Sequence, residues 1–282
     1  MTLTPLLLAP IYDSIERKIR ALVQSRVGPI GFSRSFLQSW FDIIKLLSKE
    51  LILTSYGVAL ITILEFILVL IAMITLQVAL LTSQLQWTIA LLITFLSVST
   101  AFSILRAISL DNPFSSIGAL REFYIALIVE GFFLSSLAII LLVEGPVVSK
   151  IPLLCIIAIS CYVGSGKVPF DLAEAELEIA SGINIELSGP LLAMALYSTQ
   201  IKRYILAQIL SYTLLKFIDI LTTSTITYIT LLLTPIIWVV FGVISVILAR
   251  TRVDIGPLTL LKVILILISL ALVTILLTGG TV

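Results

Sequence analysis

The chain has 282 residues, 60% of them hydrophobic and 12% charged, with a mean hydropathy of +1.22, whereas soluble domains are roughly half apolar and one quarter charged. That composition places it among membrane proteins and leaves no stretch for a soluble catalytic domain. Its 17 basic and 16 acidic residues give no charge bias toward nucleic acid, and with no histidine and two cysteines it lacks the clustered ligands of haem, zinc or iron–sulfur sites.

Taking about 20 apolar residues per span, the sequence predicts an all-α integral membrane protein of about eight transmembrane helices. They fall near Thr2–Ile15, Gly57–Leu81, Trp87–Leu105, Phe123–Val143, Ile151–Gly164, Pro190–Tyr212, Tyr228–Leu248 and Leu258–Thr278. The first lacks a basic leader and a small-residue cleavage site and reads as a short mature helix. A single membrane domain over residues 1–282 follows, with polar connections at about 16–50, 106–122 and 165–189. Lys and Arg concentrate on one side. The first connection carries seven, including Arg17, Lys18, Arg20, Arg26 and Lys45, and the same side holds Arg106, Arg121, Lys167, Arg250 and Arg252 against Lys150 and Lys216 opposite. The basic loops are therefore expected in the cytoplasm and both termini outside.

Within the first connection Leu37, Trp40, Ile44 and Leu47 recur at helical spacing, opposite Gln38, Asp42, Lys45 and Lys49. This predicts an amphipathic helix that either lies on the bilayer interface or roofs a polar cavity.

Ionisable residues inside spans are costly, about 2.5–3.5 kcal/mol each on insertion scales, and so mark function. Glu65 and Glu130 lie inside spans with no local partner in sequence. Each reads as a protonated packing contact or as a proton relay. Lys202 and Arg203 interrupt the sixth span, where they can snorkel, pair with Glu130 or Glu186, or mark an axis of ion passage. The densest signal runs from Val168 to Gly182. If Pro169 opens a helix, Asp171, Glu174 and Glu178 share one face and Glu176 turns away, with Glu186 just beyond. The block reads either as a solvated acidic first turn or as a proton-loading vestibule beside a broken region at Gly182, Gly189 and Pro190.

Two stretches carry a resemblance. Glu16-Arg-Lys-Ile-Arg-Ala-Leu-Val-Gln-Ser-Arg-Val-Gly-Pro29, with Leu37-Gln38, Asp42 and Lys45-Leu-Leu-Ser-Lys-Glu50, resembles the first cytoplasmic loop of the complex I subunit called H in bacteria and subunit 1 in mitochondria. Pro169-Phe-Asp-Leu-Ala-Glu-Ala-Glu-Leu-Glu178 with Gly182, Glu186 and Ser188-Gly189 is similar to the acidic third loop of that family. Leu6-Leu-Leu-Ala-Pro10, and Asn112 to Glu122 with Glu130, look more like the corresponding subunit of group 4 membrane-bound NiFe hydrogenases and their ferredoxin-linked relatives.

The resemblance implies a non-redox membrane subunit that anchors a soluble redox arm and couples electron transfer to proton or sodium translocation. The ion-coupling residues would be Asp171, Glu174, Glu176, Glu178 and Glu186, with Glu65, Glu130, Lys202 and Arg203 as intramembrane candidates. Arm docking would fall to Arg17, Lys18, Arg20, Arg26, Asp42, Lys45 and Arg121. Implied partners are hydrogenase-like large and small subunits, a ferredoxin-type cluster subunit, antiporter-like membrane subunits and the lipid bilayer. NiFe and iron–sulfur centres would sit in those partners, with none bound by this chain. The alternative is a quinone-site subunit of complex I. A free-standing transporter would show two related halves, and the acidic loop has no counterpart in the first half.

Overall fold

In the computed structural model, residues 4–29, 32–52, 55–82, 85–142, 147–172, 182–218 and 223–277 are described. Their regular structure is helical: α1 Thr4–Val23, α2 Phe32–Leu47, α3 Tyr56–Thr82, α4 Leu85–Ile108, α5 Pro113–Leu142, α6 Val147–Gly164, a 3₁₀ turn Gly182–Asn184, α7 Gly189–Ile218, α8 Thr223–Ile247 and α9 Gly256–Leu277. Four of these helices, α3, α4, α8 and α9, contain stretches long and apolar enough by themselves to cross a bilayer. The 30-residue helices α5 and α7 have the length, about 45 Å at 1.5 Å per residue, but each carries three charged residues, Arg121, Glu122 and Glu130 in α5 and Lys202, Arg203 and Lys216 in α7.

Several helices run past the expected spans on the basic side. α1 continues from Ile15 to Val23 because Asp13–Arg17 and Glu16–Arg20 are i,i+4 ion pairs that support polar helix turns. α5 starts at Pro113, ten residues before Phe123, where the Asn112 side chain accepts from the Phe114 amide as a cap. Pro10 inside α1 removes a donor from the helix ladder. The carbonyl of Leu6, four residues back, accepts instead from the Tyr197 hydroxyl at 2.8 Å, which ties α1 to α7.

α7 lies at the centre, packed against α1, α2, α3, α6 and α8. Its Ile201, Tyr204 and Ile205 form one core with Met73 of α3, Leu137 of α5, Ile157 of α6 and Trp238 of α8. A second core joins α5, α6 and α9 around Ile156 and Ile264. α2 lies across α1 and α7 and divides its faces. Ser35, Ser39 and Ile43 are buried, while Leu37, Ile44 and Leu47 of the expected apolar stripe, with Phe36 and Phe41, are exposed. The small polar stripe faces the protein and the apolar one faces outward.

Candidate functional site

The connections place their polar groups at one end of the helices. Lys167 reaches Glu16, Arg250 reaches Asp171, Asn112 donates to Glu186, and Gly189 sits so close to the Glu50 carbonyl that a Cβ there would lie 2.6 Å from it. These contacts join the ends and connections of α1, α2, α4, α6 and α8.

Between α1, α2, α7 and the loop after α6 lies a cavity of about 280 Å³ lined by eight ionisable side chains: Asp13, Glu16, Arg17, Arg20, Asp42, Lys167, Asp171 and Arg203. Asp13 is its hub. Its Oδ2 accepts from Ser39 Oγ at 2.7 Å and Gln200 Nε2 at 3.3 Å and pairs with Arg17 Nε at 3.0 Å, while Arg203 Nη1 lies 3.8 Å from Oδ1. Glu16 is equally enclosed, bonded by Lys167 Nζ at 2.7 Å and facing Arg20 Nε at 3.4 Å. Gly242 of α8 makes room for it, since a Cβ there would approach Glu16 Cγ to 2.6 Å. Burial outweighs the neighbouring Glu16 carboxylate and pushes the Lys167 ammonium down to about 8, with Arg203 and Arg20 adding to the fall.

A second cluster lies deeper. Glu65 of α3, 1% exposed, is held by Arg106 of α4 at 2.5 Å and by Lys202 of α7 at 3.3 Å, and Arg106 also donates to Asn184 Oδ1 at 3.1 Å. A cavity of about 90 Å³ lined by Glu65, Arg106, Glu122, Asp171, Lys202 and Arg203 lies beside it and shares Asp171 and Arg203 with the large cavity. A further cavity of about 60 Å³ places Lys202 and Glu130 on common walls, and Glu130 accepts a hydrogen bond from Thr100. Ionisable side chains thus succeed one another from Asp13 and Glu16 through Arg203 and Lys202 to Glu65 and Glu130.

Several expectations change. Glu65 does have partners, brought in by helices 41 and 137 residues away in sequence. Lys202 and Arg203 do pair, Lys202 with Glu65 and Arg203 with Asp13. Pro169 does not open a helix. Residues 168–172 form turns and irregular chain, and carbonyls that a helix would use are taken elsewhere: Val168 O by the Tyr162 hydroxyl and Pro169 O by the Thr251 amide and hydroxyl. Asp171 therefore lies outside any helix among the described residues. Glu174, Glu176 and Glu178 themselves lie outside the described residues.

Of the basic groups expected at a docking surface, Arg17 bonds Asp13 and Asp42, and Lys18 donates to the carbonyls of Val27 and Pro29. Arg20 donates to Ser245, and Arg121 reaches toward Leu172 O at 3.5 Å. Arg26 and Lys45 are exposed. Asp13, Glu16, Arg106 and Lys167 are site residues that the pattern reading did not single out. Asp13 and Glu16 share a helix face at spacing three, a signal hidden because the apolar span was ended at Ile15. Among the described residues, no group of His, Cys, Asp or Glu could hold a metal ion.

Comparison with known proteins fits this architecture. Two Escherichia coli (strain K12) proteins are similar. Hydrogenase-4 component C is 28% identical over 229 residues, covering 72% of this chain and 70% of that one; formate hydrogenlyase subunit 4 is 28% identical over 281 residues, covering 88% of each. NADH-ubiquinone oxidoreductase chain 1 of Trichophyton rubrum is 27% identical over 234 residues, covering 74% of this chain and 67% of that one. A chain of the membrane-bound sulfane sulfur reductase, an archaeal respiratory membrane complex, superposes with a TM-score of 0.73 at 17% identity over 96% of both chains, which is a likeness of fold. The family model described as NADH dehydrogenase matches residues 1–278, and the chain belongs to that family.

Proposed function

We propose that this chain is the membrane subunit of an energy-converting complex of the membrane-bound hydrogenase type, and that its buried charges couple electron transfer in partner subunits to proton or sodium movement. The observation that carries this reading is the succession of buried and half-buried charges of both signs from the Asp13–Glu16 cavity through Arg203, Lys202 and Glu65 to Glu130. Buried charges on this scale are expensive to maintain, and an anchor needs none of them. The coverage of hydrogenase-4 component C and formate hydrogenlyase subunit 4 supports the hydrogenase branch. A cavity walled by eight ionisable groups suits water and small ions better than a quinone ring.

In this reading the complex sits in the cytoplasmic membrane with the basic loops inside and both termini outside. About eight helices span the bilayer, forming a single membrane domain. The partners are large and small hydrogenase-like subunits, a ferredoxin-type subunit and antiporter-like membrane subunits, and the NiFe and iron–sulfur centres belong to them. Glu174, Glu176, Glu178 and Glu186 extend the acidic path from Asp171.

The test is ion uptake per electron transferred by the purified complex in liposomes. Glu130→Gln keeps the Thr100 hydrogen bond available and should retain assembly while lowering the ratio severalfold, and Glu174→Gln with Glu178→Gln should do the same. Wild-type ratios in both variants would remove the carboxylates from the coupling path. Subunits copurifying in mild detergent decide the branch: a nickel-containing large subunit is expected.

A further inference from the structure

Six buried side-chain atoms have no hydrogen-bond partner among the described residues, and four of them belong to Gln200, Tyr204, Gln208 and Trp238. Such orphans are rare in native interiors and call for an explanation. These four are not scattered. Gln200, Tyr204 and Gln208 stand at i, i+4 and i+8, one face of α7, and Trp238 of α8 is drawn to that face by Tyr12, which stacks on Tyr204 at 5.8 Å and meets Trp238 edge-on at 6.1 Å.

Local rearrangement does not satisfy them. Gln208 Oε1 already accepts from Gln77 Nε2 at 2.8 Å, so turning the Gln208 amide over would set two donors against each other. The indole of Trp238 can only donate, and the face beyond it is taken by Lys167 Nζ, 5.3 Å from the ring centroid. The orphan set comprises one acceptor, Gln200 Oε1, two donors, Gln208 Nε2 and Trp238 Nε1, and the Tyr204 hydroxyl, which can serve as either. Water, with two donors and two acceptors, is the ligand such a set fits. The seam also has a mouth: Gln200 lines the large cavity and donates to Asp13 there.

We propose that the seam between α7 and α8 binds a file of internal waters, joining Gln200, Tyr204, Gln208 and Trp238 and extending the Asp13 cavity about 12 Å into the core along eight residues of α7. The file is a branch distinct from the Lys202–Glu65–Glu130 succession, which leaves α7 on another face. It gives protons or polar fluctuations at Asp13 a route toward Ser211, Thr230 and Thr234, whose hydroxyls and carbonyls already bond one another in the next turns.

X-ray radiolytic labelling of the intact complex in ¹⁸O water tests this, because hydroxyl radicals formed on bound water oxidise the side chains they touch. Tyr204 and Trp238 are expected to take up ¹⁸O while Phe133, buried in apolar surroundings, does not. The volume-matched variant Gln208→Leu should lose the Tyr204 label. An unlabelled Tyr204 in the wild-type complex, or an undiminished label in Gln208→Leu, would overturn the proposal. Should the variant fail to assemble, high-resolution cryo-microscopy of the wild-type complex decides. Solvent density within hydrogen-bonding distance of Tyr204 and Gln208 supports the file, and a resolved seam without it overturns the file.

Discussion

The two charged regions are built on opposite terms. Around the large cavity, four carboxylates, Asp13, Glu16, Asp42 and Asp171, meet four cations, Arg17, Arg20, Lys167 and Arg203. Asp13, Glu16 and Asp42 each have more than one polar neighbour, and Arg17 and Arg20 remain 44% and 37% exposed, so water shares in their solvation. At the deeper site a single carboxylate, Glu65, holds Arg106 and Lys202, with side-chain exposures of 1%, 3% and 12%. The first region can exchange partners and protons with solvent, and the second cannot change its charge without a neighbour compensating. Under the proposed coupling role, loading would fall to the cavity and transmission to the interior, where Lys202 and Glu130 line a shared small cavity.

Breaking the interior pair should have the largest effect. Glu65→Gln leaves two cations without their counter-charge, and removing one partner of a buried pair costs about 3–5 kcal/mol. Assembled complex should fall sharply, as judged by its yield on native gels. Glu65→Gln combined with Lys202→Met should recover part of the loss, because the two positions are directly coupled. Additive losses would dissolve the contrast between the regions.

A smaller effect is expected from pH, at the cavity. Lys167 has its ordinary value of 10.5 lowered to about 8, so between those pH values the unfolded chain binds more protons than the folded one at this site. Stability drawn from Lys167 therefore rises with pH across that window, by up to about 1.4 kcal/mol per unit. Below it the buried ammonium is tolerated at a cost. Lys167→Met should flatten the rise in unfolding midpoint between pH 8 and 10, and coupling ratios should lose any inflection near pH 8. An unchanged slope would show that Lys167 stays charged throughout.

What the sequence made legible follows from how far apart the partners lie. Hydropathy over α3, α4, α8 and α9 needs only local composition, and those spans were readable directly. So was the amphipathic character of α2, though its apolar stripe pointed outward and Ser39, an unremarkable residue in a pattern search, proved to be the contact with Asp13. The pairing of Glu65 with Arg106 and Lys202 was invisible because each partner lies on a different helix, and only packing around α7 brings them together. The turn at Pro169 was misread for a related reason: its helix-like start is overridden by Thr251, 82 residues away.

The smallest expected effect lies on the outer rim. Arg17, Lys18, Arg20 and Arg121 are engaged within the chain, and Arg26, Lys45 and Lys49 are the remaining exposed cations of the first connection among the described residues. If that surface holds a soluble arm, it does so with solvated charges, each pair worth about 0.2–1 kcal/mol. Arg26→Glu with Lys45→Glu should therefore weaken attachment only modestly at low salt. The difference from wild type should shrink as ionic strength rises, since the Debye length falls from about 10 Å at 0.1 M to about 3 Å at 1 M. The measurement is the fraction of soluble subunits retained on the membrane across a salt series. Reversal of Arg20 should behave differently, because its guanidinium bonds Ser245 and faces Glu16 inside the cavity wall. Its loss should persist at high salt and accompany a change in coupling. Identical salt curves for the two variants would mean that the cavity and the rim are one electrostatic surface, and the division between loading and docking would fail.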